Sequence, residues 1–221
     1  AGLCRPGCEF CGGTGWIRSD VDIHHPDFGR LKPCPRLDPF KLYPHIGISE
    51  QDRRLNWENI IDRENVMDAV KAVRRALDRG HGWVFLWGGY GLAKTLILKI
   101  AVALTAANFK SAAYVRMPEI LDDLRRAFDA KDPGAEAEKR LEFWASVPVL
   151  AIDEFARVRL TEWGEEKQFV IMDRRYEDAG RGQSVTLMTS NTNPDLLDGY
   201  LFDRIRDRRF EIIRLTGDSA R

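Results

Sequence analysis

The 221-residue chain carries 34 Lys+Arg against 34 Asp+Glu, a formal net charge of zero, with 44% hydrophobic and 31% charged residues. That balance excludes a disordered chain and a protein that coats nucleic acid by bulk charge, while leaving room for a local basic patch. The length suits one mid-sized domain plus a small appendage rather than two full domains. No apolar stretch approaches the roughly 18–20 residues of a membrane helix, and Ala1-Gly2-Leu3-Cys4 shows no basic stretch leading into an apolar core. Neither a membrane partner nor a secretory leader is therefore expected, and a cytoplasmic location is.

All four cysteines, Cys4, Cys8, Cys11 and Cys34, come before residue 35. In a reducing compartment such clusters more often bind metal than form disulfides. Cys8-Glu9-Phe10-Cys11 runs into Gly12-Gly13-Thr14-Gly15. This reads as a knuckle turn in which two thiolates converge on one ion and the glycines let backbone N–H groups face the sulfurs. Cys34 supplies a third ligand. The fourth is open between Cys4 and the His24-His25 pair, because tetrahedral zinc accepts four Cys or three Cys and one His. The segment is rich in Pro and Gly and buries too little to fold alone, so a small Cys-rich zinc-binding region with one structural zinc is expected at 1–45.

Residues 39–56 read as a connection with a helix-start cue at Ser49-Glu50-Gln51-Asp52, and 46–62 is expected to be a linker to a domain spanning 63–221. A helix follows at 64–79, with Val66, Ala69, Val70, Val73 and Leu77 at helical spacing, stopped by Gly80 and Gly82. Apolar runs at 83–87, 112–115, 147–152, 185–188 and 210–215 then alternate with helical stretches at 94–108, 118–128, 135–145, 165–179 and 194–206. Buried runs alternating with helices predict an α/β fold with a parallel sheet covered on both faces.

The run 83–87 leads straight into Gly88-Gly89-Tyr90-Gly91-Leu92-Ala93-Lys94-Thr95 and then an apolar helix. Strand, glycine-rich loop and helix are the context of a phosphate loop: backbone N–H groups and the positive end of the helix dipole face the phosphates. Lys94 would reach the β/γ-phosphates and Thr95 would ligate magnesium. Ala93 stands where a second glycine is usual. An ordinary helical backbone there accommodates the methyl group; a positive φ strains it.

Further on, the run 147–152 ends in Asp153-Glu154, carboxylates at the C-terminal edge of a strand, where ligands sit in open α/β sheets. Asp153 would hold the magnesium and Glu154 would orient the attacking water. Another strand ends in Thr189-Ser190-Asn191, and Asn191 is the candidate sensor amide; Asn191-Thr192-Asn193-Pro194 also suits a turn and helix cap. The stretch Asp203-Arg204-Ile205-Arg206-Asp207-Arg208-Arg209 reads either as a solvated helix face or as an arginine finger presented to a neighbouring subunit, and Arg221 is a second candidate Arg.

The order of these motifs resembles DnaC/DnaI-type helicase loaders and IstB-type transposition ATPases, one clade of the P-loop AAA+ ATPases. The resemblance covers about 57–221 and includes Tyr114-Val115-Arg116-Met117-Pro118-Glu119, Asp173-Arg174-Arg175-Tyr176, Asp203-Arg204-Ile205 and the closing Gly217-Asp218-Ser219-Ala220-Arg221. Ala before the loop Lys is similar to the variant in MCM helicases and the MoxR group, which implies that nucleotide binding survives. The resemblance implies a three-layer AAA+ fold, ATP and magnesium as cofactors, Arg204 as finger, Arg221 as second sensor, and a homo-oligomer. It also implies an ATP-hydrolysing loader of a replicative helicase, with a transposase-assisting ATPase or a nucleotide-gated adaptor as alternatives. In DnaI-like proteins the N-terminal zinc ligands run C-x-x-C, His, Cys, an order that Cys8, Cys11, His24 or His25, and Cys34 could mimic. Single-stranded DNA is the implied nucleic-acid partner, with Arg125, Arg126, Lys131, Lys139 and Arg140 on the segment that would line a channel.

Overall fold

Five parallel strands form the main sheet, in the order β4-β5-β6-β3-β7. They are β3 (Gly82–Gly88), β4 (Ala112–Arg116), β5 (Val149–Asp153), β6 (Val185–Ser190) and β7 (Glu211–Leu215). The computed structural model describes residues 3–43, 45–61, 65–156, 160–197 and 199–217. Two short antiparallel strands, β1 (Trp16–Arg18) and β2 (Leu31–Pro33), precede the sheet in the cysteine-rich region. Along β3 the side chains alternate between faces, as a pleated strand demands. Val84 and Leu86 join the core under α1 (Val66–Arg79) and α2 (Lys94–Ala107). Trp83 and Phe85 join the core under α3 (Met117–Arg126), α4 (Pro133–Ser146) and α5 (Glu162–Gly180). Both faces are thus covered, which is why the strands read as continuous apolar runs. The result is the three-layer arrangement that the alternation predicts.

All five strands point the same way, so their C-terminal ends share one edge. β6 lies between β3 and β5, with Trp87 opposite Ser190 and Ile152 opposite Met188. The strand that feeds the glycine loop and the strand that ends in Asp153 are therefore not neighbours, and the tip of β6 sits between them. Helix α1 ends where Gly80 adopts φ 78 and donates its N–H to Ala76 and Leu77 carbonyls, the left-handed stop that glycine makes cheap.

Two expectations need correction. The single helix predicted at 194–206 is broken: Pro194–Leu196 forms a 3-10 turn capped by Asn193, Leu197 is extended, and α6 (Gly199–Ile205) follows. A side-chain cap that satisfies the first turn, together with the poor helix propensity of Gly199, separates the two pieces. Within the expected linker, the described residues 46–61 are not a free connection either. Ile46, Ile48 and Ile60 are buried in the core beneath α1 and α2, and the Tyr114 N–H donates to the Ile46 carbonyl at 2.9 Å. The segment covers the outer edge of β4, which would otherwise expose unpaired backbone groups. Apolar residues at 46 and 48, two apart, carried that signal.

Arg175 on α5 has no solvent exposure. Its guanidinium donates to the carbonyls of Trp144, Ala145 and Val147 at the end of α4, to the Val185 carbonyl and to Thr186 Oγ1. It satisfies carbonyls that the helix terminus leaves without partners. Burial lowers its pKa to about 9. Among the described residues, no helix is long and apolar enough to cross a membrane.

Candidate nucleotide site and cysteine cluster

The loop after β3 is shaped by residues that tolerate its backbone. Gly88 has φ 146, and a Cβ there would lie 2.2 Å from the Leu215 carbonyl oxygen of β7, so only glycine lets the chain leave the sheet at this point. Ala93 stands at φ 59 and ψ 9, immediately before α2. Of the two backbones considered for this position, the structure adopts the left-handed one, at a cost of about 1–2 kcal/mol for a residue with a Cβ. Lys94 is buried, and its ammonium donates to the Gly88 carbonyl at 2.8 Å and the Gly89 carbonyl at 2.5 Å. Burial lowers its pKa and the nearby Asp153 carboxylate works against that shift.

Thr95, in the first turn of α2, donates its hydroxyl to Asp153 Oδ2 at 2.8 Å. This contact joins the first turn after the glycine loop to the acidic strand end across the tip of β6, the one strand between β3 and β5. Asp153 is 5% exposed. Its Oδ2 also accepts the Tyr114 hydroxyl at 2.7 Å, and its Oδ1 accepts the Glu154 N–H at 3.1 Å and the Thr189 hydroxyl. Burial, with Asp153 alongside, pushes the Tyr114 phenol well above its ordinary range, so it remains a donor. Glu154 sits at φ 52, a strained turn of the kind that clusters at functional sites. The Phe155 N–H then donates to the Thr189 carbonyl at 2.8 Å, tying the chain after β5 to the tip of β6.

These groups open on a cavity of about 470 Å³ lined by Tyr90, Gly91, Leu92, Ala93, Lys94, Thr95, Asp153, Glu154, Thr189, Ser190 and Asn191. Asp52 and Leu55 complete its wall from the segment before α1. Gly88 and Gly89 stand behind this wall as acceptors for Lys94. A ring of loop backbone, one buried ammonium and a carboxylate pair suits a polyphosphate with a divalent cation. Thr95 and Asp153 offer hard oxygen ligands of the type magnesium takes.

Arg204 does not line this cavity. It pairs with Asp173 at 3.1 Å and lies between the rings of Tyr176 and Tyr200, 4.3 and 4.6 Å from their centroids. Arg221 lies outside the described residues. Arg125, Arg126 and Arg140 pair with Asp122, Asp123 and Glu136 within the chain. Tyr114 and Thr189 were missed as partners of Asp153 because their contact depends on strand order. Their only sequence signal is a hydroxyl near a strand end.

In the first region the sulfurs of Cys4, Cys8, Cys11 and Cys34 all lie within 4.8 Å of one another. Cys8 and Cys34 stand 3.8 Å apart, close to the tetrahedron edge of about 3.8 Å that zinc–sulfur bonds of about 2.3 Å produce. His24 and His25 are exposed and outside this group, and His25 Nδ1 accepts the Asp27 N–H instead. The Cys4 sulfur, and neither histidine, thus stands with the other three sulfurs. The Gly15 N–H points at the Cys11 sulfur, 3.3 Å away. Burial pushes the Cys4 thiol up to about 12 and Cys34 to about 11; for Cys11 that push is outweighed by the N–H groups of Gly13 and Gly15, which bring it to about 6. Four converging sulfurs in a closed set match structural zinc.

No family model matches the chain, and no curated protein matches it. Solved structures do. AMPPCP-bound DnaA from Aquifex aeolicus is 19% identical with a TM-score of 0.64, over 75% of this chain and 51% of that one. A DnaI structure is 19% identical with a TM-score of 0.59, over 79% of this chain and 94% of the other. The DnaC helicase loader is 20% identical with a TM-score of 0.59, over 76% and 100%. The chain spans about half the length of that DnaA structure and of a DNA replication initiation factor that it also matches. The likeness shows the fold: this chain shares the architecture of the DnaI and DnaC structures, preceded by a four-cysteine cluster.

Proposed function

We propose, from the AAA+ fold shared with DnaA, DnaI and DnaC, that the chain binds and hydrolyses ATP and acts in the cytoplasm as a loader of a replicative helicase on single-stranded DNA. The observation that carries the nucleotide reading is the Thr95–Asp153 hydrogen bond, which sets the glycine loop and the acidic strand end around one cavity. In this reading the loop N–H groups and Lys94 hold the phosphates. Thr95 and Asp153 hold magnesium, which when bound neutralises charge on the phosphate oxygens. Glu154 orients the attacking water and Asn191 holds a phosphate oxygen or that water. Arg204 serves as the finger for a neighbouring subunit's nucleotide in a homo-oligomer, and Arg221 acts as a second sensor of bound nucleotide. The Cys-rich region holds one zinc and grips the client.

The DNA and client parts are supported by analogy of fold: one matching structure is DnaA bound to AMPPCP and single-stranded DNA, another is a helicase loader. A second reading, a nucleotide-gated adaptor with little turnover, is favoured by the positive φ of Ala93 in the phosphate loop. Glu154→Gln separates the two. Loss of a positioned general base lowers turnover by about 10²–10⁴-fold, so the variant should keep Mg-ATP affinity within about threefold of the wild type while losing hydrolysis to that degree. Wild type that binds Mg-ATP without turning it over, with DNA present, leaves the adaptor. Co-purification of a hexameric helicase or of a transposase then distinguishes a loader from a transposition helper.

A further inference from the structure

Tyr114 is half-buried and held by backbone and side-chain contacts alike. Its residue pairs with Ala151 in β5, its N–H is bonded to the Ile46 carbonyl, and Gly47 packs so tightly on it that a Cβ would meet the Tyr114 carbonyl oxygen at 1.8 Å. The ring has the Lys99 ammonium 5.7 Å from its centroid, and Lys99 is fixed in turn by Asp52 at 2.9 Å. The only polar atom of this clamped side chain reaches Asp153 Oδ2 at 2.7 Å, the same oxygen that accepts the Thr95 hydroxyl at 2.8 Å. A carboxylate on a strand tip keeps rotational freedom about its last bond unless both oxygens are engaged. Here Oδ1 is engaged by Thr189 and the Glu154 N–H, and Oδ2 by Thr95 and Tyr114. Thr95 is itself a ligand in the nucleotide reading, so when its oxygen turns to a cation the Tyr114 hydroxyl is the donor that holds Oδ2 in place.

We propose that Tyr114 is a positioning residue that orients the Asp153 carboxylate toward the divalent cation of a bound nucleotide, and that the clamp on Tyr114 is supplied by the segment at 46–52. The proposal rests on the nucleotide reading above. Partners that orient a metal-binding group typically change metal affinity by about 10–100-fold when removed, whereas a residue that only fills space changes stability and nucleotide binding alike.

The test uses the full chain and a fluorescent N-methylanthraniloyl ATP, titrated in EDTA and then across a range of MgCl2. Wild type should bind the nucleotide more tightly as magnesium is added; if it does not bind at all, the nucleotide reading itself fails. Tyr114→Phe keeps the ring and removes the hydroxyl. Its affinity without metal should stay within about twofold of wild type, while the MgCl2 concentration giving half of the tightening rises about tenfold. The affinity without metal also reports that the variant is folded. An unchanged magnesium midpoint overturns the proposal. So does an equal loss of affinity with and without metal, which would make the hydroxyl merely structural.

Discussion

At Ala93 a methyl group sits on a backbone of φ 59, directly before Lys94. A left-handed conformation costs a residue with a Cβ about 1–2 kcal/mol, and glycine returns about 0.5–1 kcal/mol of that through its greater freedom in the unfolded chain. Ala93→Gly should therefore raise unfolding stability by about 0.5–1 kcal/mol, read as a higher urea midpoint at unchanged slope. A fall in stability would show that the loop prefers the methyl group for packing. Glu154, at φ 52, carries similar strain beside the same cavity, so both ends of the site hold non-glycine residues in a conformation that glycine would relax. Such strain persists only where the surroundings over-determine it, here through the bonds of Asp153, Thr189 and Phe155.

Among the elements, α4, α5 and β6 depend on one buried cation. The Arg175 guanidinium meets four backbone carbonyls and the Thr186 hydroxyl, with no carboxylate among these partners. Arg175→Met would fill much of the volume but leave the end of α4 and the start of β6 with buried, unpaired acceptors. Each costs about 1–3 kcal/mol, and partial relaxation brings the expected loss to about 3–5 kcal/mol by chemical denaturation. A change below about 1 kcal/mol would mean that water replaces the guanidinium. This clamp also holds β6 in place, and the tip of β6 carries the Thr189 hydroxyl that engages Asp153.

For the whole molecule, the cysteine region and the sheet differ in what can hold them. Each face of the sheet has a large apolar core, whereas the core around the sulfurs adds, among the described residues, one buried aliphatic side chain, Leu37, with Leu3, Ile17, Leu42 and Phe109 packed partly against it. One such side chain contributes about 1.5–3 kcal/mol, too little to order that region without a metal staple. Protein purified without chelator should contain one zinc per chain. Stripping it should make the four thiols reactive and abolish native amide protection before residue 38 while the sheet keeps its own; unchanged protection after metal loss would refute the staple. Charge at this scale is equally decisive. Arg125 and Arg126 are exposed and paired to Asp122 and Asp123 of their own helix; exposed pairs of this kind are worth about 0–1 kcal/mol, so phosphate contacts can replace them, and Lys131 and Lys139 lie on the same stretch.

Local pattern alone determined the glycine-rich loop between strand and helix, the acidic strand end, the helix-stopping Gly80 and the alternation that makes a covered parallel sheet, because each depends on neighbours in the chain and on periods of two or 3.6 residues. It also marked the cysteines as a group, but left the fourth ligand open between Cys4 and two histidines. Tertiary structure places the Cys4 sulfur, and neither histidine, with the other three. It decided too that β6 stands between the loop strand and the acidic strand, that Ile46 and Gly47 pack on the edge strand β4, and that Tyr114 and Thr189 flank Asp153. Strand order and burial are set by contacts between residues far apart in the chain, which is why these features were out of reach of a reading that sees only local spacing.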